Sequence, residues 1–193
     1  TIFSRFKRLV HDLASQLGKN IELITEGAET ELDKNVIEKL NDPLVHLIRN
    51  CCDHGVESPE TRALAGKNAT GTVTLSARHA GAFVLITISD DGAGLNRDAI
   101  YNKAVERGLI KPGESIPDKQ VYDLIFQPGF STSKAVTSVS GRGVGMDVVK
   151  KDIDSLGGSV SIETEKGRGS SFILKIPLTL AIIQGLLVRV GQE

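Results

Sequence analysis

The chain has 193 residues, enough to bury one good-sized core, or one domain with a short appendage. Its 40% hydrophobic and 24% charged residues group it with ordinary soluble globular proteins and exclude a disordered or fibrous chain. A net charge of −1 gives no drive toward nucleic acid or anionic membrane, and 4% aromatic content with no Trp argues against a base-stacking platform.

Residues 2–17 carry Phe3, Phe6, Leu9, Val10, Leu13 and Leu17 at helical spacing, with Gly18 as the stop. Thr1 already stands in mid-helix pattern, as expected of a piece of a longer protein. IELITEG alternates as a short strand, and ETELD reads as a partner strand or a turn. A long helical pattern runs from about Lys34 to His54, with an interruption expected at Asp42-Pro43 and an end at Gly55. Pro59 opens a short helix through Ala65. GTVTLSARHAG and FVLITISDDG read as a hairpin, and helices follow near 97–107 and 118–126.

Residues 127–145 are rich in Gly, Ser, Thr and Val, and are long for a connection inside a compact domain, which reads as either a functional lid or a disordered segment. A helix at about 144–156 ends at Gly157-Gly158, and SVSIETE with SSFILKIPL forms a second hairpin. AIIQGLLVRVGQE begins a further strand pattern. The fold class is therefore α+β, a two-layer sandwich whose mixed or antiparallel sheet is covered by helices on one face. No apolar run reaches the ~20 residues of a membrane span, and no signal peptide opens the chain. Cys51 and Cys52 are neighbours, which disfavours a disulfide and points to two reduced, packed thiols.

His46, Arg49, Asn50 and Asp53 fall at i, i+3, i+4 and i+7 on the long helix, a polar stripe between apolar flanks. Such a stripe faces either water or a ligand, because each buried orphan group costs about 1–3 kcal/mol. DDGAGL follows a strand, so Asp90 ends an apolar run, while Gly92 and Gly94 permit a tight turn and close approach to a ligand. GRGVG at 141–145 precedes an amphipathic helix, where exposed N–H groups and the helix dipole favour phosphate. It matches neither the P-loop pattern nor a dinucleotide-binding turn. Each motif alone has a bland reading as a solvated face, a plain turn or a loop before a cap.

Their ordered combination is more specific. Asn50 and Asp53 on a helix, Asp90-x-Gly92-x-Gly94 after a strand, PGFS at 128–131 and GRGVG before a helix resemble the ATP-binding fold shared by DNA gyrase B, the chaperone Hsp90, MutL and histidine kinases. HLIRNCCDHGVE, DDGAGL, QPGFSTSKAVTSVSGRGVGMDVVKK and PLTLAIIQGLLVRV are most similar to the CheA family of chemotaxis histidine kinases. The resemblance covers nearly the whole chain. It implies the end of a dimerisation helix at 1–18, an ATP-binding kinase domain at 19–178 and the start of a coupling domain at 179–193. Cys51-Cys52 departs from the small and aliphatic pair expected of that family, at positions whose role is packing.

The resemblance also implies roles. Asp90 accepts a hydrogen bond from the adenine amine, and Gly94 lets the base sit close. Asn50 and His46 hold Mg²⁺. Arg49, His54 and Lys103 are phosphate clamps, and Asp53 supports Arg49 or His54. Ser131, Thr132 and Lys134 lie in the lid, with Arg142, Gly143, Val144, Gly145 and Met146 around the helix start. Met146 reads as core rather than contact. ATP-hydrolysing members place Glu four residues before the Asn. His46 fills that slot here, so slow hydrolysis is expected and the γ-phosphate goes to a histidine on a separate phosphotransfer domain. Response regulators, a receptor and coupling protein, a homodimeric full-length protein and a cytoplasmic location follow from the same resemblance, without nucleic acid or membrane insertion. His11, followed by Asp12 but by no nearby Pro, is disfavoured as the acceptor. The competing readings are a conformational ATPase, disfavoured by the missing Glu, and a binding module without transfer.

Overall fold

The computed structural model describes residues 3–130 and 145–179. Its five-stranded sheet runs in the order β1 (Ile21–Glu26), β2 (Gly71–Ala80), β3 (Phe83–Asp90), β5 (Gly169–Pro177), β4 (Ser159–Glu165). β1 pairs parallel to β2 and every other pairing is antiparallel, so the sheet is mixed. Alternation puts Val73 and Leu75 of β2, Val84, Ile86 and Ile88 of β3, and Phe172, Leu174 and Ile176 of β5 on one buried face. Helices α1 (Ser4–Leu17), α2 (Lys34–Asn50) and α6 (Met146–Ser155) bury their apolar stripes in the same core. The expected one-sided α+β sandwich is what forms.

Three local features refine the sequence reading. ETELD takes the turn of its two readings rather than the strand: Thr30 N–H donates to the Gly27 carbonyl at 3.0 Å, and the chain then leads irregularly to Asp33, whose carboxylate caps α2 at the N–H of Asn35. α2 also runs unbroken through Asp42-Pro43. A mid-helix proline costs about 3 kcal/mol, but Val36, Leu40, Leu44, Leu47 and Ile48 are all buried on this helix, at about 1.5–3 kcal/mol each. The continuous stripe outweighs the lost bond. Finally, α2 passes into one π-helical turn, Cys51–Gly55, closed by Val56 N–H donating to the Cys51 carbonyl at 2.8 Å.

α3 (Pro59–Leu64) follows, with Ser58 as its N-cap. α4 (Arg97–Glu106) and α5 (Asp118–Asp123), extended by a 3₁₀ turn at Leu124–Phe126, form a smaller cluster around Ile100, Ala104, Ile110, Val121 and Phe130.

Candidate nucleotide site

Asp90 is the last residue of β3 and shares the inward face with Val84, Ile86 and Ile88. Its carboxylate therefore points from an apolar row toward the end of α2, and the residue is only 8% exposed. Asp90 Oδ1 accepts from Gly92 N–H at 2.9 Å. The Cys51 thiol and the Ser170 backbone also donate to this carboxylate. Burial raises the Asp90 pKa above the ordinary 3.8, and these three donors oppose it. Burial, with Asp90 next to it, drives the Cys51 thiol well above its usual range, so it stays an S–H donor at neutral pH. Burial likewise pushes Cys52 to about 11.

Two glycines make this packing possible. A Cβ on Gly55 would lie 2.6 Å from Asp90 Oδ2, and one on Gly92 would lie 1.9 Å from the Gly55 carbonyl. The π turn and the DDG turn therefore touch backbone to backbone, with Ala93 N–H donating to the Gly55 carbonyl at 3.0 Å. Gly94 has φ +75°, and a Cβ there would meet the Glu165 carbonyl at 2.5 Å. Its close approach is thus to the β4–β5 hairpin, where Leu95 N–H also bonds Thr164 Oγ1 at 2.9 Å.

His46, Arg49 and Asn50 are half-buried on the last turns of α2, while Asp53 and His54 are exposed on the π turn. Asn50 Nδ2 donates to Met146 Sδ at 3.2 Å. A thioether only accepts, so the contact fixes the amide orientation and leaves Oδ1 for another partner. Met146 is therefore both core and contact, packing on the main cluster while holding Asn50. Burial lowers the His46 pKa below the ordinary 6.5. Arg49 and His54 push the same way, and Asp147 of α6 opposes them. At neutral pH the ring is uncharged and has a lone pair to offer. Asp53 pairs with His54 at 3.6 Å. Lys103 stands over the Phe130 ring at 5.8 Å, on the smaller cluster. Gly145 begins α6 as its N-cap, with Asp147 in the first turn. Ser131, Thr132, Lys134, Arg142, Gly143 and Val144 lie outside the described residues.

The structure joins Asn50, Asp90, Gly92 and Met146 around the end of α2, with His46, Arg49, His54 and Asp147 forming its polar side. Sequence reasoning missed Cys51 and Gly55 at this site, although both lie inside the HLIRNCCDHG segment. It also missed Lys19, Arg62 and Lys67, whose partners are distant in sequence. Among the described residues no cluster of three His, Cys, Asp or Glu side chains could hold a metal, and no helix is long and apolar enough to cross a membrane.

Residues 39–180 match the model of the histidine kinase-, DNA gyrase B-, and HSP90-like ATPases, and the chain belongs to that family. It is 54% identical over 192 residues to the chemotaxis protein CheA of Treponema pallidum, covering 100% of this chain and 24% of that protein. Against CheA of Bacillus subtilis the identity is 54% over 195 residues, covering 100% and 29%. The chain thus spans less than a third of these relatives. Among solved structures, full-length ShkA in complex with AMPPNP superposes with a TM-score of 0.58 at 19% identity, over 93% of this chain and 30% of that one. The histidine kinase domain of a blue-light activated kinase from Erythrobacter litoralis gives 0.52 at 14%, over 92% and 65%. At these identities the likeness is one of fold.

Proposed function

We propose that this chain is the catalytic domain of a chemotaxis protein-histidine kinase, which binds Mg-ATP and passes the γ-phosphoryl group to a histidine on a separate phosphotransfer domain. The observation that carries the reading is the Asp90 carboxylate, held on the buried face beside the turn that follows Asn50. It offers an acceptor to the adenine amine, and Arg49 on the same helix end offers positive charge to phosphate. The identity to CheA proteins along the whole chain supports the same assignment.

The donor set suits a hard divalent ion. Asn50 Oδ1 is an oxygen ligand whose amide is already oriented by Met146, and His46 is neutral. Asn50 and His46 are the residues that would hold Mg²⁺, which prefers oxygen ligands and would act together with the ATP phosphates. The ion, when bound, neutralises charge on the phosphate oxygens. Arg49 adds positive charge as the γ-phosphoryl leaves, and His54 is placed as a further phosphate ligand. In the transfer, an imidazole nitrogen of the acceptor forms a bond to the γ-phosphorus as the bond to the bridging oxygen of ADP breaks. The products are ADP and phosphohistidine. His46, where hydrolysing relatives carry Glu, provides no carboxylate to activate water.

On this reading residues 1–18 end a dimerisation helix, 19–178 form the kinase domain, and 179–193 begin a coupling domain. The phosphoacceptor histidine domain belongs to the same full-length, homodimeric protein. Response regulators, receptor and coupling protein are reached through its other domains in the cytoplasm. Ser131, Thr132, Lys134 and Arg142 to Val144 act as the lid, and Lys103 joins them as a phosphate ligand.

Incubation with Mg²⁺ and γ-labelled ATP tests the proposal. Label is expected on an added CheA phosphotransfer domain and not on the chain alone. Label on His11, or rapid release of inorganic phosphate without any acceptor, would overturn it.

A further inference from the structure

Behind the DDG turn lies a cluster of buried charge that the nucleotide reading does not use. Arg62 of α3 is 2% exposed, and a buried guanidinium is costly unless its donors are satisfied. Its Nη1 donates to the Asp91 backbone carbonyl and to Asp91 Oδ1, both at 3.2 Å, and Nη2 donates to Asp91 Oδ2 at 3.0 Å. Nη1 also reaches Glu57 at 3.1 Å, and Nε reaches the Asn68 carbonyl at 2.6 Å. Lys67 donates to the Asp91 carbonyl at 3.0 Å, the Gly92 carbonyl at 2.7 Å and Glu57 at 2.9 Å.

The Asp91 carbonyl and the Gly92 N–H belong to one planar trans peptide and point in opposite directions. Two cations grip its carbonyl side. Its N–H side donates to Asp90 Oδ1 at 2.9 Å. Rotation of that peptide would therefore break both ends together, so the cations fix the Asp90 carboxylate from the far side of the turn. We infer that Arg62 and Lys67 are positioning residues for base selection, acting on Asp90 through the Asp91–Gly92 peptide. This inference rests on Asp90 being the adenine acceptor.

The test compares the affinity of the chain for Mg-ATP and Mg-ITP by calorimetry, because ITP carries a carbonyl where ATP carries the amine. The unaltered chain should favour ATP. In Lys67→Met, at a half-buried position that tolerates an apolar stem, the ATP-to-ITP ratio should fall about tenfold, the equivalent of one charge-assisted hydrogen bond. Binding of ITP should change little. Lys67→Arg should restore the ratio, and Arg62→Lys should lower it. Thermal melting of each variant separates folding from selection. A lowered melting temperature with an unchanged ratio would make the cluster merely structural and overturn the inference. Equal affinity of the unaltered chain for ATP and ITP would instead sink the base-acceptor role of Asp90, and the clamp with it.

Discussion

Asp90 sits where a β-strand would ordinarily place another isoleucine, and its carboxylate is stabilised by the Gly92 N–H, the Cys51 thiol and the Ser170 backbone. Asp90→Asn keeps the shape but replaces one acceptor oxygen with a donor, which then faces the adenine amine. ATP affinity should fall by about 1.5–3 kcal/mol, the range for a hydrogen bond to a charged group, whereas ITP should be affected less. Titration calorimetry of the two nucleotides checks this. The same residue sets a pH dependence. Its pKa is raised above 3.8, mainly by burial, so the ionised acceptor is lost at a higher pH than an ordinary aspartate allows. ATP affinity should therefore decline on acidification with a midpoint above 3.8, and Asp90→Asn should abolish that limb of the profile. An unchanged acid limb in the variant would assign it to another group.

The element that carries the site ends in a π turn, and one lysine secures that end. Lys19 follows Gly18, the left-handed cap of α1, and its ammonium donates to the carbonyls of Cys52, Asp53 and Val56 at 2.9, 2.6 and 2.8 Å. These are the unpaired carbonyls of a helix C-terminus, where a cation is favoured. Lys19→Met should lower unfolding free energy by about 1.5–3 kcal/mol, read as a shift in urea midpoint at constant slope. Lys19→Arg should recover part of it. Such contacts explain what the sequence did not reveal. The strands of both hairpins were legible because period-2 alternation between glycine turns is a local signal, and α2 because its stripe is long. Asn50 and Asp90 were legible as polar residues on otherwise apolar faces. The π turn was not, since its bond from Val56 to Cys51 leaves no mark in propensity. Nor were the contacts of Lys19 with the π turn and of Arg62 with Asp91, which span about thirty residues, or the parallel pairing of β1 with β2, which depends on the register of a remote strand.

At the scale of the whole molecule, α1 is continuous with the nucleotide domain. Phe3, Phe6, Val10 and Leu13 are buried in the same core as Leu44, Leu47 and Ile86, and α1 touches β1, α2 and the π turn. A helix that supplies three core side chains, with Phe3 buried at its cap, cannot detach without uncovering the layer beneath it. Phe6, 1% exposed, is the sharpest probe. Phe6→Ala should cost about 3–5 kcal/mol, as large-to-small aromatic changes in cores do. That is a large part of the 5–15 kcal/mol typical of a domain. The loss should appear as one cooperative transition, with helical circular dichroism and a fluorescent probe on the sheet melting together. Two separated transitions, with the sheet retaining its original midpoint, would show that α1 folds as an independent arm. A single shifted transition would mean that the orientation of α1 and the shape of the Asn50 helix end are set by one core, with Lys19 as the polar tie between them.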